Sequence, residues 1–177
     1  KAISRWGSQP HVERLHSMLG RHYAASGETA LAASAFSLAH SCLPKDSASV
    51  QLDMGLLAVA GGKYPEAKTR FAAATDALRC ETPSELSVQE VDEAVSAHNN
   101  LAVCRLYCKE LLAGVEGLEV LVRTDPTAYL KPSIIRNLSS LYEFLPDAVG
   151  KRQALQEVAL AYNIEDIDPK AFAAPNS

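Results

Sequence analysis

The sequence predicts an all-α protein, an α-α superhelix of about four helix pairs. Three observations predict it. Small residues and phenyl rings recur in register, Gly20 to Gly55 and Phe36 to Phe71 each being 35 residues apart. Apolar residues make up 47% of the 177-residue chain but aromatic ones only 6%, the balance expected of helices that pack through Ala and Leu. The stretch from Glu13 to Pro44 carries small and aromatic side chains at the offsets where two antiparallel helices must touch.

Residues 1–12 read as an approach segment in which Pro10 suits a helix start and Trp6 packs on the first helix pair. In the first unit, near 13–46 with Glu13 as position 1, Leu19 and Gly20 take positions 7 and 8, Tyr23 takes 11, Ala32 takes 20, Phe36 takes 24, Ala39 takes 27 and Pro44 takes 32. This is the 34-residue tetratricopeptide pattern. Gly20 and Ala32 are the expected close-contact points, since longer side chains there would force the helices apart, and Tyr23 and Phe36 fill the space beside them. Gly27 can end the first helix in a left-handed conformation, so helices are expected near 11–26 and 28–42.

The second unit, near 48–81, repeats the pattern with Met54, Gly55, Ala67, Phe71 and Ala74; Gly61-Gly62-Lys63-Tyr64-Pro65 is its turn. Residues 82–94 form an acidic insertion. The spacing Ser87, Val88, Val91, Val95 is helical, so the next helix is expected to begin near 87 and run to about 109. It either projects from the stack or follows an ordinary solvated loop. The third unit, near 95–128, has Leu101, Ala102, Gly114, Leu118 and Leu121; Arg105 stands at its aromatic position 11, with Tyr107 expected to supply the ring volume. After a spacer Tyr129-Leu130-Lys131, a fourth unit near 132–165 predicts helices near 130–144 and 147–163. Lys151 replaces its small residue at position 20, so this pair should be looser or differently crossed. The solenoid thus covers 13–165, and the tail 166–177, short of core residues, is expected to fray.

A formal net charge of -4 with scattered Lys and Arg argues against a nucleic-acid partner or an anionic-membrane surface. No apolar run reaches the roughly 18–20 residues of a membrane span, so no integral membrane segment is expected. The chain opens at Lys1 without a signal-peptide pattern and reads as the C-terminal domain of a longer protein. Cys42, Cys80, Cys104 and Cys108 lack the density of a disulfide scaffold, which favours a reducing compartment.

Cys104 and Cys108 lie one helical turn apart, but His98 points to another side and no CxxC ligand pair exists, so both read as core residues. His11, His16, His22 and His40 are dispersed, and Gly61-Gly62 lacks the Lys-Ser or Lys-Thr of a phosphate loop. Neither a nucleophile elbow nor a His-Glu-x-x-His motif occurs. No catalytic residue, cofactor or metal is therefore expected, and the chain reads as a non-enzyme.

Surface recognition remains, because stacked first helices create a concave groove. The candidate groove residues are Arg21, Leu52, Leu56, Asn99, Val103, Leu106, Tyr107 and Arg136. The second and third units offer an apolar floor suited to a helix or a linear peptide, or to the chain's own C-terminal helix. Clamping of a chaperone C-terminal carboxylate is rejected. Ser17, Arg21, Asp53, Ser96 and Asn100 stand where that mode needs Lys, Asn and Arg, and Asp53 would repel the carboxylate.

The later units carry a closer likeness. His98-Asn99-Asn100-Leu101-Ala102-Val103-Cys104-Arg105-Leu106-Tyr107, then Leu118-Glu119, Asp125-Pro126, Tyr129-Leu130, Asn137-Leu138, Leu141-Tyr142-Glu143 and Lys151-Arg152-Gln153-Ala154-Leu155 occur with one shared spacing. This resembles the C-terminal repeat region of the subunit 12 family of the TRAPP (trafficking protein particle) vesicle-tethering complex, over roughly residues 13–160. The acidic insertion and the tail depart from it. The resemblance implies a non-catalytic scaffold in endoplasmic-reticulum-to-Golgi and autophagy-related traffic, with other TRAPP subunits as protein partners. It also implies a cytoplasmic protein, peripheral to the intermediate compartment and Golgi, that meets membranes only through its complex. A peptide-binding adaptor of another pathway is the alternative.

Overall fold

The structure, a computed structural model, describes residues 10–79, 86–162, 164 and 172. The expected packing of Trp6, residues 82–85 of the insertion, Cys80 and the fraying of the tail lie outside the described residues. The described residues are helical and contain no strand, and the chain divides between Ala77 and Leu78 into two compact units.

The first unit contains α1 (Pro10–Ala25), α2 (Thr29–Ala39), α3 (Ala48–Ala60) and α4 (Tyr64–Ala77). α1 packs on α2 and α3 on α4, while α1 and α2 both pack on α3. A Cβ placed on Gly20 would stand 2.5 Å from Phe36 Cδ1, and one on Gly55 2.5 Å from Phe71 Cε1. Each ring therefore lies directly on the backbone of the facing helix, and both rings are buried. Ala32 and Ala67 are also buried, but the group that meets Gly20 is the Phe36 ring and not Ala32, because the longer side chain reaches across the pair.

Both hairpins turn in the same way. After α1, Gly27 sits at φ +80° and donates its N–H to Ala24 O (3.1 Å), while Glu28 N–H reaches Tyr23 O (2.9 Å). After α3, Gly62 at φ +71° bonds Val59 O (2.8 Å) and Lys63 N–H bonds Ala58 O (2.9 Å). These paired bonds satisfy the last carbonyls of each helix.

The second unit contains α5 (Val88–Tyr107), α6 (Leu111–Thr124), the single turn α7 (Pro126–Tyr129), α8 (Pro132–Tyr142) and α9 (Ala148–Ala161). α5 packs on α6 and α8, and α8 also on α6 and α9. The early start of α5 has a local cause. Glu90 N–H donates to Ser87 Oγ (3.3 Å) and Ser87 N–H to Glu90 Oε2 (2.8 Å), a reciprocal cap that covers two free amides. The Ser87 hydroxyl and amide hold the Glu90 carboxyl below its ordinary range.

The α5–α6 turn repeats the two bonds of the glycine turns, Lys109 N–H to Leu106 O (3.0 Å) and Glu110 N–H to Arg105 O (2.8 Å). Lys109 makes it at φ 65°, a conformation that costs a side-chain-bearing residue roughly 1–2 kcal/mol. Tyr107 does not replace the missing ring at position 11, for it is 59% exposed. Instead Arg105 crosses to α6, where its Nη1 donates to Ala113 O (2.8 Å).

Tyr129-Leu130 is more than a spacer. Asp125 Oδ1 accepts from Ala128 N–H (3.0 Å), Pro126 follows in the first turn, and this cap winds α7 so that Tyr129 and Leu130 are buried.

Two expectations follow. Gly20→Ala should destabilise the chain by about 1–3 kcal/mol through overpacking against Phe36, whereas Lys109→Gly should stabilise it by about 1 kcal/mol. Urea titration followed by circular dichroism measures both; an unchanged midpoint for Gly20→Ala would sink the ring-on-backbone account.

Candidate interaction site

In the first unit the polar chemistry converges on Asp53 of α3, whose carboxylate is fully buried. Its Oδ1 accepts from Arg21 Nε (2.7 Å), and its Oδ2 from Ser17 Oγ (2.6 Å) and His40 Nε2 (3.0 Å). The His40 ring stacks on Phe36 at 5.8 Å with 3° between planes. One carboxylate thus ties α1, the end of α2 and α3 together, its charge met by three donors. Asp53 is therefore no surface charge that repels a ligand. Ser17 and Arg21 are turned to it, which removes them from any carboxylate clamp.

The candidate groove residues fall into distinct environments. Arg21 is bonded to Asp53, and Leu56 is half-buried. Leu52 is 1% exposed, so the reading of it as a surface contact is corrected: α3 carries it on a covered face. In the second unit Asn99, Val103 and Leu106 are half-buried along one stripe of α5, and Tyr107 and Arg136 are exposed. Asn99 Oδ1 accepts from Asn137 Nδ2 (2.9 Å), which binds α5 to α8 and places Arg136 one residue from that bond.

A concavity of the second unit lies elsewhere, between α6, α8 and α9. It is a cleft of about 240 Å³. Val122 of α6, Leu138 of α8, and Ala154, Leu155 and Val158 of α9 form its apolar part. Glu119, Arg123, Tyr142 and Lys151 form the polar edge. Lys151 Nζ donates to Glu119 Oε1 (2.9 Å), Tyr142 Oη donates to the same oxygen (3.1 Å), and Arg123 Nη2 meets Glu119 Oε2 (2.6 Å). The Lys151 ammonium also stands 5.2 Å from the Tyr142 ring centroid.

Burial alone would push the Glu119 carboxyl up. The Lys151 hydrogen bond and charge, helped by the Tyr142 hydroxyl and Arg123, outweigh it and hold the carboxyl below its ordinary range. Burial and then the Glu119 charge push the Tyr142 phenol well above its own range, so it remains a hydrogen-bond donor. Burial, with Cys108 adding to it, pushes the Cys104 thiol up to about 11, and this side chain is part of the core. Among the described residues no three His, Cys, Asp or Glu side chains converge as metal ligands, and no helix is long and apolar enough to cross a membrane.

Over 62 residues, 34% of this chain, the sequence is 42% identical to trafficking protein particle complex subunit 12 of Homo sapiens. It is 40% identical over 62 residues to the subunit of the same name in Mus musculus. The matched stretch spans 8% of the length of each of these curated relatives. These matches relate the chain to that subunit over about a third of its own length. No family model matches the chain, and no solved structure matches it.

The two carboxylates should respond differently to change. Asp53→Ala removes the shared acceptor of Ser17, Arg21 and His40 and should cost about 1–3 kcal/mol in urea unfolding at pH 7, the partly exposed Arg21 being hydrated in its place. Glu119 has a folded pKa below its ordinary value of 4.5, so its contribution is fully present above pH 4.5 and is lost as pH falls through the folded value. The stability gap between the parent chain and Glu119→Gln should therefore narrow on going from pH 7 to about pH 3; a constant gap would show that Glu119's ionic partners contribute nothing.

Proposed function

We propose that this chain is a non-catalytic protein–protein interaction scaffold of the TRAPP vesicle-tethering machinery, built as a tetratricopeptide-type solenoid. The observation that carries this reading is the 42% identity to trafficking protein particle complex subunit 12 over 62 residues. Its architecture supports it. Two hairpins of the first unit repeat one Gly-on-Phe contact and one left-handed turn at an interval of 35 residues, the construction of stacked helix pairs. The polar clusters support a binding role over a catalytic one: Asp53 and Glu119 are each bonded to cations and hydroxyls that join helices. On this proposal its partners are other TRAPP subunits. Its setting is cytoplasmic, peripheral to the endoplasmic reticulum–Golgi boundary, with membranes met through the complex.

Affinity capture tests it. The 177-residue chain, immobilised and exposed to cytosolic extract containing the intact complex, should enrich identified TRAPP subunits by mass spectrometry. Recovery of none would overturn the proposal.

A further inference from the structure

The cleft between α6, α8 and α9 has an origin in the repeat. At position 20 the other hairpins carry Ala32, Ala67 and Gly114, all buried, and these small residues let paired helices close. At the same position α9 carries Lys151, which cannot be enclosed between helices without a partner. It leans out to Glu119 and across the Tyr142 ring, and the hairpin stays open over an apolar floor that includes Leu138 and Leu155.

The charge at the mouth is unbalanced. Glu119 contributes one negative charge against the two positive charges of Lys151 and Arg123. Arg123 meets Glu119 through Nη2 while its side chain is 68% exposed, so the guanidinium is presented to solvent. Apolar walls beneath a mouth with one excess positive charge match a particular occupant. We propose that this cleft is a docking pocket for a short protein segment in which one aliphatic side chain is flanked by a carboxylate. The apolar group fills the cleft, and the carboxylate meets Arg123 and Lys151 at its edge. A single carboxylate balances the excess charge, whereas a dianionic phosphate would leave repulsion against Glu119. The inference rests on the protein-binding reading of the chain but not on membership of any one complex.

Methyl NMR on the 177-residue chain tests it with three blocked peptides: acetyl-Gly-Asp-Leu-Gly-amide, its form with Lys for Asp, and its form with Ser for Leu. The first should shift the methyl signals of Val122, Leu138, Leu155 and Val158 with a Kd of about 1 mM, as suits a single anchoring side chain. The Lys form should leave them unmoved, and the Ser form should bind about tenfold more weakly. Lys151→Met and the exposed Arg123→Gln should each weaken the first peptide about tenfold. Ala154→Trp, which fills the mouth from an exposed position on α9, should abolish its binding with the helical circular dichroism unchanged.

The proposal is overturned if the acidic peptide shifts none of these methyls, if the Lys form shifts them equally, or if the shifts persist in Ala154→Trp. It is also overturned if protein concentration alone moves the same signals, since a second copy would then be the occupant. Capture of TRAPP subunits is scored separately, so either reading can fail while the other stands.

Discussion

The contact on which the first unit depends is the phenyl ring laid against a glycine, Phe36 on Gly20 and Phe71 on Gly55. Each pair is 16 residues apart, one residue on each helix of a hairpin. The missing side chain lets the helix backbone come down onto the ring, and the ring, wholly enclosed, removes a large apolar surface from water. That contact fixes how close the two helices lie and therefore where the next hairpin can rest. The left-handed residue at the turn works with it. Gly27 and Gly62 reverse the chain in three residues, leaving little freedom in how the second helix meets the first.

Polar groups then join helices that the rings have placed, and their burial decides what each can do. Asp53 is sealed away with three donors from two other helical segments, so its removal leaves all three without their shared acceptor and the arrangement is rigid. Glu119 also has three partners, but Arg123 is mostly in water and Lys151 partly so, which weakens both attractions through screening. A group held in that way can exchange a partner for a ligand at modest cost. Similar chemistry in the two units thus yields a fastening in one and an adjustable edge in the other.

How much of this was legible in the sequence varied with the range of the interaction. The hairpins of the first unit could be read from residues 35 apart, because Gly, Ala and Phe at fixed spacing express local helix geometry. The early start of α5 was legible from Ser87 and the valines after it, and Lys151 announced a looser pair. Lys109 was not seen as a turn, since its conformation is imposed by the hairpin and no glycine marks it. The winding of Asp125-Pro126 into α7 was missed because a single turn has no periodicity to detect. Asp53 was taken for a charge that would repel a carboxylate ligand and Leu52 for a groove contact, and both are buried. Both errors have one cause: position in a repeat assigns a face of a helix, whereas burial depends on what the neighbouring helices bring.

The cleft shows why departures from the repeat matter more than its regular parts. Position 20 is small where hairpins must close, so a long cation there removes packing and must be answered by a charge on another helix. Glu119 supplies that charge from α6, and Tyr142 supplies both a hydroxyl to Glu119 and a ring face to Lys151. Side chains of three helices thereby meet at the edge of the opening. Glu119 and Tyr142 thus answer the structural demand that Lys151 makes, and what they leave over is the charge of Arg123, presented to solvent beside an apolar floor. That surplus is the physical reason to look for function there, and it draws on the residues that depart from the pattern.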